Sequence, residues 1–431
     1  MYRNRINNLI TWKLAKKRKP LILLGARQVG KTWLIKEFGK AEYKQIAYIN
    51  FEHPNAPKNL FETDFDADRI VTVLNAYCKI KINAADTLIV FDEIQAAYKG
   101  ITALKYFYED APEYHIIAAG SLLGVNIHPD ESFPVGKVDF MKLYPMSFYE
   151  FLLAMGETGV AELLEKRDLT NLNLFNVKLI NLLRYYLYVG GMPEVVEEFV
   201  ENRDWQQVRK IQKQILESYR SDFSKHAPKE ILPRINMVWD SIPAQLAKEN
   251  KKFIYGVIKE GARAKDFELA IQWLTDSGLL HKVYNTSKPA LPLVAYQELS
   301  AFKLFHNDVG LLGAMSQLNA RIIADSDAIF EEFKGALAEQ YVFQQLIQKE
   351  DLSIFYHTFD RSKYELDFLL QNNDNEIIPV EVKAGKNIQA ASFKLFCQKH
   401  NPQTAIRTSL SDYKKEEKMA NVPLYAIGSV L

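Results

Sequence analysis

Uninterrupted apolar runs alternate with helically spaced segments over the first third of the chain. Residues 21–24, 46–51, 87–91 and 115–119 are four such runs. Strands buried on both faces read as continuous apolar segments, so residues 20–145 predict an α/β domain with a mostly parallel sheet. Ahead of it, Ile6, Leu9, Ile10, Trp12, Leu14 and Ala15 recur at roughly helical spacing, and Lys16-Lys17-Arg18-Lys19-Pro20 ends that helix before a proline. From 146 to 230 the pattern is helical and is broken at Gly190-Gly191-Met192-Pro193. Shorter helical segments fill 231–315. One of them, 264–277, meets Gly278 and then the apolar stretch 279–283, an order that predicts a winged helix. An Asp- and Ala-rich connection near 324–327 leads to a helix at 333–347 and strands at 353–358, 365–370 and 377–383. The expected division is therefore 1–145, an α/β core; 146–230, a helical lid; 231–315, a winged helix; and 316–431, a second α/β domain.

Composition narrows the function classes. The 54 basic and 53 acidic residues nearly cancel, so no overall field points to nucleic acid or a membrane surface. No run approaches the length of a membrane span, and Met1-Tyr-Arg-Asn-Arg is not followed by a secretory leader pattern. The two cysteines, Cys78 and Cys397, lie far apart without a partnering motif, which fits a reducing compartment and a cytoplasmic protein.

The chemistry begins at Gly25-Ala26-Arg27-Gln28-Val29-Gly30-Lys31-Thr32, which fits G-x-x-x-x-G-K-[ST] and lies between an apolar strand and a helix that opens at Trp33. Glycines let backbone N–H groups turn toward phosphate oxygens, and the helix N-terminus adds its positive dipole end. Lys31 is expected on the β- and γ-phosphates, and the Thr32 hydroxyl on Mg²⁺. The run 88–91 then delivers Asp92 and Glu93 at a strand end. Asp92 is expected to hold Mg²⁺ and Glu93 to polarise the attacking water. A surface Asp-Glu pair capping a helix is the plainer alternative. Ser121, after the strand at 116–119, stands where a γ-phosphate sensor or an ordinary turn serine would sit.

In order, Gly25–Thr32, Ile49-Asn50-Phe51-Glu52, Asp92-Glu93-Ile94-Gln95, Ala119-Gly120-Ser121-Leu122, Pro145-Met146-Ser147-Phe148 and Gly190-Gly191-Met192-Pro193 resemble a large prokaryotic family of AAA-type ATPases fused to a C-terminal domain of unknown function. The resemblance runs from about residue 2 to 385 and implies binding of ATP and Mg²⁺. Relatives often carry Gly-Arg where this chain has Gly136-Lys137, and an ammonium lacks the bidentate fork of a guanidinium. Gly261-Ala262-Arg263 through Leu280, followed by Phe302-Lys303-Leu304-Phe305-His306-Asn307-Asp308, resembles that family's winged helix and its next signature. The candidate recognition helix holds Lys265, Asp266, Glu268 and Asp276 and is not notably basic, so DNA and protein contacts both stay open.

A second constellation lies near the C-terminus. Asp367 lies within one arm of an expected hairpin, and Glu381 and Lys383, two apart on the other, share a face. With Glu339 on the preceding helix, the set resembles the D…E-x-K arrangement of restriction-endonuclease-like folds. That resemblance implies Asp367, Glu381 and Glu339 on a metal ion and Lys383 on the water, with plain salt bridges as the alternative. The expected partners are ATP and DNA, with no membrane; a homo-oligomer stays open.

Overall fold

The computed structural model describes residues 1–120, 134–248, 252–319, 334–359, 364–385 and 391–431. Its contacts divide the chain into two compact units. One is Arg3–Tyr144 with Asp276–Gly278, the other Met1–Tyr2, Pro145–Thr275 and Leu279–Leu431.

The first unit carries a five-stranded sheet in the order β2-β3-β4-β1-β5. Its strands are β1 (Leu21–Leu24), β2 (Gln45–Asn50), β3 (Thr87–Asp92), β4 (His115–Ala119) and β5 (Asp139–Lys142). Every pairing among them is parallel, so all five C-terminal ends lie on one edge. The four apolar runs form β1 to β4, and β3 is buried at all six positions. Strand β5 was not anticipated. It is four residues long with one buried side chain, and nothing in Asp139-Phe140-Met141-Lys142 separates it from a loop. Helices α1 (Arg5–Leu14), α2 (Lys31–Glu42), α3 (Ala67–Cys78) and α4 (Gly100–Asp110) complete the unit. One core joins Ile22, Ile49, Phe51, Phe61, Ile89, Phe91, Leu104 and Phe107. Removing any of these large side chains would cost roughly 2–5 kcal/mol.

The second unit is helical from Phe148 to Leu246 and then carries a mixed sheet of eight strands, ordered β12-β13-β11-β10-β9-β8-β6-β7. These are β6 (Leu280–Thr286), β7 (Gln297–His306), β8 (Ser353–Phe359), β9 (Tyr364–Gln371), β10 (Ile377–Val382), β11 (Ala405–Ser409), β12 (Lys414–Lys415) and β13 (Met419–Pro423). The helix expected at 264–277 spans Ala264–Asp276, and β6 and β7 pair antiparallel after it. This hairpin continues into the last sheet, because β6 also pairs parallel with β8 at Tyr284↔Phe355 and Asn285↔Tyr356. The expected hairpin of β9 and β10 forms, with Phe368 opposite Val380.

Motifs scattered along the sequence meet inside this unit around Asp308. Its Oδ2 accepts from the Gly191 N–H at 2.6 Å and from Gln344 Nε2 at 3.1 Å, and its Oδ1 caps the next helix through Leu311 N–H at 2.9 Å. Gly191 must be glycine, since a Cβ there would stand 2.2 Å from the Met146 carbonyl oxygen. Tyr186 donates to that same carbonyl. The helix Lys334–Leu346 sends Gln340 to both backbone groups of His306, Gln344 to Val309 N–H and Gln345 to Phe148 N–H. Desolvation raises the Asp308 carboxyl above its usual range, and the N–H donors around it oppose that shift. Asp308→Ala strands these buried donors at about 1–3 kcal/mol each. We expect a loss on the order of 3 kcal/mol in urea unfolding, with a smaller loss for Asp308→Asn.

Candidate nucleotide site and C-terminal charge cluster

The loop after β1 closes tightly. Gly25 has φ +153°, and a Cβ there would lie 2.3 Å from the Leu143 carbonyl oxygen, so no other residue fits without moving backbone. Gly30, at φ +92°, caps α2 in the left-handed region, and the first N–H groups of α2 follow it directly. Ala26 and Val29 are both buried. From behind, Arg3 donates to the Val29 carbonyl at 2.8 Å and to the Tyr144 carbonyl at 2.6 Å. No motif pointed to this brace.

Lys31 is only 7 % exposed. Its ammonium is folded back on the loop, donating to the Gly25 carbonyl at 2.7 Å and the Ala26 carbonyl at 2.9 Å. Burial lowers its pKa to about 8, against the opposing pull of Glu93 and Asp92. Below pH 8 the free protein already holds the ammonium that phosphates need. Above it, binding must take up a proton, so affinity should fall by up to about tenfold per pH unit. Titrations with a non-hydrolysable ATP analogue at pH 7, 8 and 9 check this; a flat profile counts against Lys31 as the phosphate ligand.

Thr32 and Asp92 meet. The Thr32 hydroxyl donates to Asp92 Oδ2 at 2.8 Å, and the Tyr48 phenol donates to the same oxygen at 2.6 Å. Burial and this bond push the Tyr48 phenol well above its usual pKa. Tyr48 lies on β2 opposite Val90, two residues before Asp92 in the neighbouring strand, a placement that only register reveals. Glu93 follows at φ +49°, and Gln95 Nε2 donates to its Oε2 at 2.6 Å. A hydroxyl and a carboxylate converging in this way are the oxygen donors a hard cation takes, so the pair fits Mg²⁺. When bound, Mg²⁺ would neutralise charge on the β- and γ-phosphates.

The remaining loop residues contribute differently. Arg27 pairs with Glu52 at 3.7 Å, Gln28 takes a positive φ of 65°, and Trp33 is 39 % exposed at the start of α2. Lys137 pairs with Glu109 of α4 at 3.0 Å. Ser121 lies outside the described residues.

In the second unit, β9 and β10 bring Asp367 next to Glu381 and Lys383. Asp367 Oδ2 accepts from Val382 N–H at 2.7 Å, and Lys383 Nζ sits 2.8 Å from Glu381 Oε1. Burial raises the Glu381 carboxyl, and Lys383 pulls it back. Glu339 takes another partner, Lys303 of β7 at 2.8 Å, which also bridges Glu365 at 2.7 Å. Lys303 and Glu365 were not singled out as site residues. The available signal was a lysine set inside the apolar run Ala301-Phe302-Lys303-Leu304-Phe305. Among the described residues no three His, Cys, Asp or Glu side chains converge to hold a metal ion. No described helix is long and apolar enough to cross a membrane.

Comparisons with known proteins follow this division. Residues 17–152 match the AAA domain family, and residues 180–321 and 334–427 match two families described as domains of unknown function, DUF8612 and DUF4143. The N-terminal segment thus carries the parallel-sheet P-loop NTPase fold and is similar to the AAA domain family. No curated protein matches the chain. Two of the similar solved structures share 13 % identity with this chain. The Walker-type ATPase PABY2304 of Pyrococcus abyssi aligns over 73 % of this chain and 95 % of its own, with a TM-score of 0.45. The Aeropyrum pernix ORC1 protein in complex with DNA aligns over 74 % and 93 %, with a TM-score of 0.29. At these scores neither likeness bears on the argument.

Proposed function

We propose that the chain is a Mg²⁺-dependent ATPase that couples its nucleotide state to a C-terminal unit engaging DNA. The observation that carries the reading is the meeting of the two sequence motifs, Thr32 Oγ1 on Asp92 Oδ2 at 2.8 Å, with Lys31 and Glu93 adjacent in sequence. In this reading, Lys31 leaves the Gly25 and Ala26 carbonyls for the β- and γ-phosphates. Thr32 and Asp92 would hold the cation, which would supply charge neutralisation at the phosphates. Glu93, steadied by Gln95, orients the water and receives its proton. The winged-helix order of the Ala264–Asp276 helix and the β6–β7 pair supports a nucleic-acid contact, as does the nuclease-like order of Asp367, Glu381 and Lys383. Full-length protein should release phosphate from ATP in Mg²⁺ and stop in EDTA. Its affinity for duplex DNA should differ at least about fivefold between an ATP analogue and ADP, the low end of ordinary coupling energies. Equal affinity in the two states ends the coupling.

One observation favours a second reading of the C-terminal cluster, a switch that binds without cutting. Glu339, expected on a metal, is already paired to a buried lysine. Supercoiled plasmid that stays intact with Mg²⁺ or Mn²⁺ supports the switch, and nicking that Lys383→Ala abolishes supports the nuclease.

A further inference from the structure

Four carboxylates gather in the second unit from three elements: Glu339 from the helix Lys334–Leu346, Glu365 and Asp367 from β9, and Glu381 from β10. A divalent cation would have to take its oxygens from this set. The Lys303 side chain reaches them first. It is 0 % exposed, as its partner Glu339 is 1 % exposed, and Nζ sits 2.8 Å from Glu339 and 2.7 Å from Glu365. The same ammonium lies over the Tyr356 ring at 4.8 Å, so its remaining side is packed against an aromatic face. The fields of Asp367 and Glu381 reach it too. Glu381 is left with one oxygen, Oε2, that is buried and has no hydrogen-bond partner among the described residues. With Lys303 among them, no three of the described carboxylates converge as a metal-holding group.

We infer that the Lys303 ammonium is the resident cation of this cluster, so that the C-terminal centre is closed to divalent metal and works without it. This rests on the nuclease-like reading of Asp367, Glu381 and Lys383 and changes what that arrangement does. A buried charge is retained only where oppositely charged groups surround it. A lysine held by two carboxylates meets that condition. A metal ion at the same oxygens would have to expel Lys303 into apolar surroundings or stand beside its like charge. Removing Lys303 should therefore uncover a cation site that the wild-type chain lacks.

The test uses the full-length, nucleotide-free protein with Mn²⁺ alone, followed by calorimetry and electron paramagnetic resonance. Wild type is expected to show no Mn²⁺ site that Glu381→Gln removes. Lys303→Met is expected to gain one at least about tenfold tighter than wild type, with carboxylate oxygens as ligands, and adding Glu381→Gln should abolish it. A Glu381-dependent Mn²⁺ site in wild type overturns the inference and leaves the metal-dependent nuclease standing. A folded Lys303→Met protein that gains no site overturns it as well, and takes the nuclease-like arrangement with it. Because losing one member of a buried pair destabilises a fold, a second arm leaves the charge in place. In ¹⁵N-lysine spectra of wild type, the Lys303 ammonium resonance, identified by its loss in Lys303→Arg, should stay sharp as Mn²⁺ is added. Selective paramagnetic broadening of that resonance overturns the inference.

Discussion

Replacing Lys31 with alanine is expected to weaken ATP binding by about 100-fold or more, enough to abolish tight binding. The ammonium is the loop's one buried side-chain cation, and each charge-assisted hydrogen bond it makes to a phosphate oxygen contributes about 1.5–3 kcal/mol. Two such bonds amount to two decades or more of affinity. The gain is partly offset, because in the free protein the same ammonium already satisfies the Gly25 and Ala26 carbonyls. Lys31→Ala therefore has a second signature: two loop carbonyls lose their donor, and the free loop should become easier to cleave by protease. Lys31→Arg is not a rescue, since a planar guanidinium fork does not reproduce the compact ammonium that meets both carbonyls. A fluorescence titration with a labelled nucleotide measures the loss. Wild-type affinity in the alanine variant would sink the phosphate-loop assignment.

The second large effect belongs to Glu93. Glu93→Gln should keep nucleotide affinity within a few-fold and cut turnover by about 10² or more, the scale of a lost general base. The substitution preserves size, and the new amide oxygen can still accept from Gln95 Nε2, which now donates to Glu93 Oε2 at 2.6 Å. The local fold at the left-handed Glu93 backbone is thus untouched, and the deficit falls on the water-activating step alone. Single-turnover phosphate release separates this from slowed product release. Hydrolysis at the wild-type rate in this variant would move the role elsewhere.

Much of the nucleotide site was legible because its parts are contiguous. Gly25 to Thr32 is one loop, and Asp92-Glu93 is one strand end, each announced by an apolar run that periodicity reads well. Tyr48 and Arg3 were not legible, since they reach Asp92 Oδ2 and the Val29 carbonyl only through strand register and chain return, which leave no local pattern. Strand β5 escaped for a different reason: at a sheet edge only Met141 is buried, and alternation over four residues carries no weight. In the C-terminal cluster, Asp367, Glu381 and Lys383 were found because they share one hairpin. Lys303 sits 64 residues before Asp367 in the numbering, and its membership follows from the joining of β6 to β8, which no spacing rule anticipates. Gly190-Gly191, read as a helix break, does end the helix at Val189, and the same glycines make a close approach to Asp308 and Met146 that no spacing announced.

The pairing of β6 with β8, together with the glutamines that tie the helix Lys334–Leu346 to His306, Val309 and Phe148, has a consequence for how such chains are passed on. The segments at 180–321 and 334–427 match separate families, yet β6 of the first pairs with β8 of the second, and the buried Lys303 of the first is paired with Glu339 of the second. A gene fusion that delivered the later segment alone would bring an unpaired β8 edge and a Glu339 without Lys303. Recombination should therefore rarely part them, and across genomes the two should be gained and lost together.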